Sequence, residues 1–395
     1  MIRSSQLSTK FANKEKKDNI KLFTKEYKNV VSFFVDYLWE LEDIPNLLPK
    51  EVTNKVETWL SARAIQCAGK QASGIVRGTK KKQKSRIYVY DKLIKQGFKK
   101  RAKALKKHID KAKMTKPNLD QVNPELDSRF IKLDFENGTS FDGWVTLSSL
   151  GNKLKIKVPL KSTSHFNNLQ GSLKQGIRLS NKNITLMKES DVKERESGKT
   201  LGLDIGATTL ASLSDDQVTK PDLHGHDLSS INKSLSKKKR GSKSFGRTQT
   251  QRKQYINWCV NKINFDDVKE LKLENIKNLK RGRKLNRFLN HWTYTEIKGK
   301  LEQKCESLGV QVTYVSPTYT SQRCSSCGWV RSSNRNRKLF KCGGCDFALD
   351  ADLNASRNIA TPLRPIGTKE RLLHKNKTGF YWEASQEPIV PGTTN

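Results

Sequence analysis

Apolar residues in the first hundred positions recur at helical steps. Ile20, Phe23, Tyr27, Val30, Val31, Phe34, Val35, Leu38 and Leu41 follow one another at intervals of three and four, which predicts an amphipathic helix over residues 19–42. After "IPNLLPKE", the positions of Val52, Val56, Trp59, Leu60, Ala64 and Cys67 predict a second helix over about 51–76. The basic run "TKKKQKSR" then leads to a third helical region ending in "FKKRAKALKKHIDKAK". Around Pro117 the period shortens to two. "RFIKLDFENGTSFDGWVTL" and "NKLKIKVPL" alternate apolar and polar residues around Asn-Gly and Leu-Gly-Asn turns, and "IRLSNKNITLMKE" adds another hairpin. Residues 120–190 should therefore form a small antiparallel sheet or barrel. If "SSQLSTKFA" at the start of the chain pairs with it, the helices become an insertion.

From Lys199 the pattern changes again. "KTLGLDIGATTLASLSDD" is an apolar strand carrying one acid, a Gly turn and a second strand. A basic, partly helical connection, "INKSLSKKKRGSKSFGRTQTQRKQYINW", precedes the strand "DDVKELKLENI". "RFLNHWTYTEIKGKLEQKCESLG" reads as a helix, "VQVTYVS" as a strand and "DADLNASRNIA" as a helix, so this region belongs to the α/β class. The tail after Pro362 is polar and expected to be loosely ordered.

Charge narrows the function. Lys plus Arg outnumber Asp plus Glu by 76 to 39 across 395 residues, a net charge of +37. A fold with that charge repels itself until a polyanion neutralises it. No apolar run approaches the roughly 18 residues of a membrane span, and the N-terminus lacks the apolar core of a signal peptide, so nucleic acid is the expected partner rather than a membrane. The basic runs beside the helices then read as a nucleic-acid groove in preference to merely solvated faces. A protein that only coats RNA would share this composition.

Seven cysteines are present. Cys67, Cys259 and Cys305 stand alone and read as buried thiols, whereas Cys324, Cys327, Cys342 and Cys345 form two C-x2-C pairs separated by 14 residues. With no sign of secretion, disulfides are not expected and the protein belongs in a reducing cytoplasm, associated with the nucleoid. The spacing predicts four thiolates on one tetrahedral Zn2+, with no open position for water, hence a structural ion.

Three acids stand out in this basic chain. Asp204 lies within an apolar strand, where a lone carboxylate is costly unless paired or metal-bound. Glu274 ends a second strand, with Glu270 as its rival in "ELKLEN". Asp352 opens a helix beside Asp350, which could serve as its N-cap. Asp204, Glu274 and Asp352, on two strands and a helix of one unit, would suit a pair of Mg2+ ions for phosphodiester hydrolysis.

"LGLDIGATTLASLSD", "KELKLENIKNL", "SPTYTSQRCSSCG", the second cysteine pair and "DADLNASRNIA", taken together over about 199–360, resemble the RuvC nuclease domain of the TnpB (OrfB) family. These transposon-encoded proteins are similar to the type V CRISPR effectors. The resemblance implies a multidomain α+β chain. Its parts are an RNase H-like (RuvC) α/β nuclease domain with an inserted zinc ribbon, preceded by a β-barrel-like wedge domain that a helical recognition domain interrupts. The implied divisions are 1–18 and 117–195 for the wedge, 19–116 for recognition, 196–320 and 349–361 for the nuclease, 321–348 for the ribbon and 362–395 for the tail. It also implies a guide RNA, a target DNA cut beside a short adjacent motif, and Asp204, Glu274 and Asp352 as the catalytic, Mg2+-binding acids. Asp350 is then a neighbour shaping the site, and Arg323, Arg331, Arg335, Arg337 and Lys338 on the ribbon lie near the scissile strand. A type V effector of the same fold and a non-cleaving RNA-guided repressor are the competing readings; an RNA-coating protein leaves Asp204 unexplained.

Overall fold

The computed structural model describes residues 1–111, 116–135, 138–276, 293–364 and 379–384. The architecture is mixed α+β, in two compact units, Met1–Asp191 and Val192–Asn395. No described helix is long and apolar enough to cross a membrane.

The first unit opens with β1 (Ile2–Ser8) and α1 (Lys14–Trp39), whose N-cap Asn13 accepts the Lys16 N–H at 2.9 Å. Helix α1 starts a turn earlier than the apolar pattern indicates because this cap satisfies its first donors. Its stripe from Ile20 to Leu38 is buried as the spacing requires. The second helix differs from expectation. It is split into α2 (Lys50–Thr53) and α3 (Ala62–Lys95), because Leu60 pairs with Gly151 and the Ser61 N–H donates to the Leu150 carbonyl at 3.0 Å. Backbone pairing to a distant loop outweighs the local helical pattern there. Helix α3 then runs straight through the basic stretch 79–86, ending just before Gly97, whose φ of +73° reverses the chain into α4 (Lys99–Lys111).

The strands that follow are β2 (Glu125–Leu126), β3 (Ile131–Asp134), β4 (Gly143–Leu147) and β5 (Ile156–Leu160). After the short α5 (Ser164–Asn168) come β6 (Ser172–Leu179) and β7 (Asn183–Glu189). They form two separate hydrogen-bonded sheets, ordered β1-β7-β6-β2 and β3-β4-β5, which share one core with α1 and α3. Strand β1 pairs antiparallel with β7 from Ile2↔Glu189 to Ser8↔Asn183, so α1–α4 are inserted between strands of one unit.

The second unit contains β8 (Lys199–Asp204), β9 (Ser212–Leu213), α6 (Leu228–Lys237), α7 (Lys243–Lys262) and β10 (Val268–Glu274). Next are α8 (Tyr294–Leu308) and β11 (Gln311–Val315). The expected helix 287–309 is seen from Tyr294 onward, its start and most of "NIKNL" lying outside the described residues. The sheet order is β11-β10-β8-β9; β10 is parallel to both β8 and β11, and β9 is antiparallel to β8. The cysteine segment carries β12 (Trp329–Val330), β13 (Arg335–Asn336), β14 (Leu339–Lys341) and β15 (Ala348–Asp350), and β15 runs directly into α9 (Ala351–Ala360).

Within the expected loose tail, the described residues 379–384 include ordered structure. Strand β16 (Phe380–Tyr381) pairs antiparallel with β12, and Trp382 is buried beside Val330. A single large aromatic side chain removed from water offsets the ordering of a short segment. The remainder of the tail beyond Arg364 lies outside the described residues.

Candidate active site

Asp204 and Glu274 end the parallel neighbours β8 and β10, each one residue beyond the paired Leu203 and Leu273. Parallel pairing in register brings both carboxylates to the same end of the sheet. Asp352 reaches them from the first turn of α9, which crosses β8 at Gly202. A Cβ on Gly202 would lie 2.1 Å from the Ser356 carbonyl oxygen and 2.3 Å from the Ala360 nitrogen, so glycine sets the approach of the helix. Gly202→Ala should therefore push α9 off the strand and lower stability by about 1–3 kcal/mol, read as a lower urea midpoint. An unchanged midpoint would contradict this packing.

Asp204, Glu274 and Asp352 line one cavity of about 460 Å³, together with the loop from Ile205 to Thr208 and with Arg335, Arg337 and Lys338. Burial, followed by the Glu274 and Asp352 carboxylates, pushes the Asp204 carboxyl up to about 7; Arg335 and Lys338 only partly oppose this. Burial also raises Glu274, against a hydrogen bond from Thr320 and the charge of Arg335. The carboxylates are hard oxygen ligands, and a divalent cation among them would relieve the repulsion at Asp204.

Asp352 already has cationic partners. It is 5% exposed and accepts from Arg335 Nη2 at 2.8 Å and from Lys338 Nζ, which also reaches Thr209 Oγ1 at 2.8 Å. The β14–β15 hairpin produces this meeting. Leu339 pairs with Asp350, and the Ala351 N–H donates to the Lys338 carbonyl at 2.8 Å, so Lys338 sits opposite the start of α9. Asp350 caps that helix, accepting from Asp352 N at 2.9 Å and Leu353 N at 3.2 Å. Glu270 is engaged across the sheet, accepting from Thr200 Oγ1 at 3.0 Å and Thr313 Oγ1 at 2.7 Å.

The four cysteines converge. All four Sγ atoms lie within 4.8 Å of one another, with Cys324–Cys345 at 3.8 Å and Cys327–Cys342 at 3.6 Å. A tetrahedral ion with Zn–S bonds of about 2.3 Å separates its sulfurs by about 3.8 Å, so the set fits zinc. Each pair closes a knuckle. The Cys324 N–H donates to Trp329 O and the Cys342 N–H to Phe347 O, both at 2.8 Å, while the Phe347 N–H lowers the Cys345 thiol.

Two features depart from, or go beyond, the sequence reading. Arg323 does not face a nucleic-acid strand: it is 5% exposed, donating Nε to the Trp382 carbonyl at 2.7 Å and Nη1 to Asn358 Oδ1 at 2.8 Å. Its neighbour Cys324 is fully buried, and the Trp382 carbonyl and the Asn358 amide hold the guanidinium in the interior. Thr320, whose hydroxyl donates to Glu274 Oε1, was not distinguishable from other loop threonines in the sequence.

A family model described as the Cas12f1-like TNB domain matches residues 294–359. Over 78 residues the chain is 47% identical to the CRISPR-associated endodeoxyribonuclease Cas12f1 of Sulfoacidibacillus thermotolerans, covering 20% of this chain and 18% of that protein. It is 28% identical over 211 residues to InsQ of Escherichia coli (strain K12), named as a candidate RNA-guided DNA endonuclease, covering 45% of this chain and 52% of InsQ. A TnpB-like protein of Methanocaldococcus jannaschii is 32% identical over 100 residues, 25% of this chain and 36% of that protein. The chain thus spans about half or less of the length of each of these relatives. In these segments the chain is similar to TnpB-like proteins and to Cas12f1 endodeoxyribonucleases.

Proposed function

We propose that the chain is an RNA-guided DNA endonuclease of the TnpB type, hydrolysing DNA phosphodiesters at the Asp204–Glu274–Asp352 cluster beside a short adjacent motif. The observation that carries this is the convergence of the three acids on one cavity whose other wall holds Arg335, Arg337 and Lys338. The order β11-β10-β8-β9, with one antiparallel strand and acids at the ends of the parallel ones, supports an RNase H-like reading of the sheet. Asp204, Glu274 and Asp352 would hold Mg2+, and the four cysteines a structural Zn2+. Mg2+ bound there would supply activation of water and charge for the leaving oxygen. The chain's own part is to fix the carboxylates on rigid elements and to present cations to the phosphate.

Guide RNA and target DNA are the proposed partners. From Leu228 to Phe265 the chain carries no acidic residue, and Lys237, Lys239, Arg240, Lys243 and Arg247 are exposed around the α6–α7 turn. Such a surface binds phosphate without reading bases, leaving sequence to guide pairing. The protein should copurify with RNA, and its affinity for nucleic acid should fall at least about tenfold between 50 and 200 mM salt, measured by filter binding. RNA-free protein with salt-indifferent binding would overturn the guided reading. The 47% identity to Cas12f1 over 78 residues supports a second reading, a type V effector. Sequencing the copurified RNA separates the two: a transposon-end transcript supports the first, a repeat-derived guide the second.

A further inference from the structure

We propose that Thr320 is the positioning residue for Glu274, and that the buried Asn358–Arg323 pair locks it there, so that the first cysteine knuckle and the Glu274 carboxylate form one unit. The inference rests on reading Glu274 as a metal-binding acid.

Thr320 is 2% exposed, and its hydroxyl donates to Glu274 Oε1, with the Pro317 carbonyl a poorer acceptor at 3.4 Å. A hydroxyl has one proton to give, and giving it to Oε1 leaves Oε2 for an ion. The Thr320 carbonyl is itself held by Asn358 Nδ2 at 2.8 Å. Asn358, 1% exposed, also donates to the Arg323 carbonyl at 2.7 Å and accepts from the Arg323 guanidinium. Asn354, one helical turn earlier on α9, donates to the same Arg323 carbonyl at 2.8 Å and accepts from the Ser325 N–H at 3.0 Å. The residues on both sides of Cys324 are thus fastened to the helix that bears Asp352.

The loop is shaped for this task. Tyr319 adopts φ 58°, in the left-handed region, and its carbonyl accepts the Gln322 and Arg323 N–H groups, each at 2.9 Å. Its ring packs 5.3 Å from Phe380 and 6.2 Å from Trp382. A non-glycine residue stays in that conformation only where its surroundings over-determine it. Fully satisfied buried networks of this kind rigidify what they join.

The test is Mn2+ binding by electron paramagnetic resonance on the full chain stripped of nucleic acid, with zinc content measured alongside. Thr320→Val, which keeps the shape and removes the donor, should weaken Mn2+ affinity about tenfold, while Thr320→Ser should stay within about twofold of wild type, as expected for loss or retention of a hydrogen bond to a charged group. All variants should retain one zinc per chain. A role in packing alone reverses the order, since serine loses the methyl and valine does not. If Thr320→Val binds Mn2+ like wild type while Glu274→Gln does not, the positioning role is overturned and the acid site stands. If Glu274→Gln binds as tightly as wild type, the reading of Glu274 as a metal ligand fails and the positioning role fails with it.

Discussion

Asp204→Ala should lower cleavage of guide-matched DNA by on the order of 1,000-fold or more while leaving RNA-dependent DNA binding intact. Asp204 lies between strand and helix acids, in a position whose burial and like-charged neighbours raise its carboxyl to about 7. On the proposed reading, removing it leaves Glu274 and Asp352 without the third ligand for a cation. Binding should survive because the proposed phosphate-binding surface around the α6–α7 turn contains none of the three acids. Glu274→Ala and Asp352→Ala should have similar effects, and combining them with Asp204→Ala should cost little more, since groups acting as one unit are not additive. Glu270→Ala and Asp350→Ala should keep measurable activity. Glu270 joins Thr200 and Thr313 across the sheet, and Asp350 caps α9, where loss of the cap costs about 0.5–2 kcal/mol. Rates at saturating Mg2+ check the whole series; wild-type cleavage by Glu274→Ala together with its loss in Glu270→Ala would exchange the two assignments.

Cys342→Ser has the second-largest expected effect. Cys342 is fully buried and closes the β14–β15 hairpin, packing with Cys324, Phe340 and Ala351 in a core too small to hold without a staple. Apparent binding free energies of structural zinc in small domains are about 10–16 kcal/mol, and that energy is folding energy. The variant should lose its one zinc and the cooperative unfolding of the cysteine segment. It should also lose cleavage with all three acids intact, because hairpin register sets Lys338 and Asp350 at the start of α9. Zinc analysis and thermal unfolding check this; well-folded wild-type protein containing no zinc would contradict it.

Much of the framework was legible because it is local. The stripe from Ile20 to Leu38, the alternation at residues 120–190 and the spacing of Cys324, Cys327, Cys342 and Cys345 each reflect the geometry of one short segment. The break between α2 and α3 was not legible, since it depends on Leu60 meeting Gly151. Nor was the run-through of α3 across its lysines, where nothing stops a helix before Gly97. At the candidate site, Asp204 and Glu274 showed themselves as charges in apolar strands and Asp352 as an acid opening a helix. Their supports did not. Thr320 and Glu274 are 46 residues apart, and Arg323 and Asn358 are 35 apart, so their roles exist only after folding. Gly202 offered one usable signal, a glycine inside an apolar strand, which marks close approach of another backbone.

Cleavage of a supercoiled plasmid carrying the guide-matched target beside its adjacent motif, by protein purified with its RNA, is the most direct measurement, run beside a gel shift on the same DNA. Wild type should linearise the plasmid in Mg2+, and Asp204→Ala should shift the DNA without cutting it. Wild type that shifts the DNA yet never cuts across a range of Mg2+ and Mn2+ would make the protein a guided binder rather than a nuclease, and Asp204→Ala cutting at the wild-type rate would place the active site elsewhere.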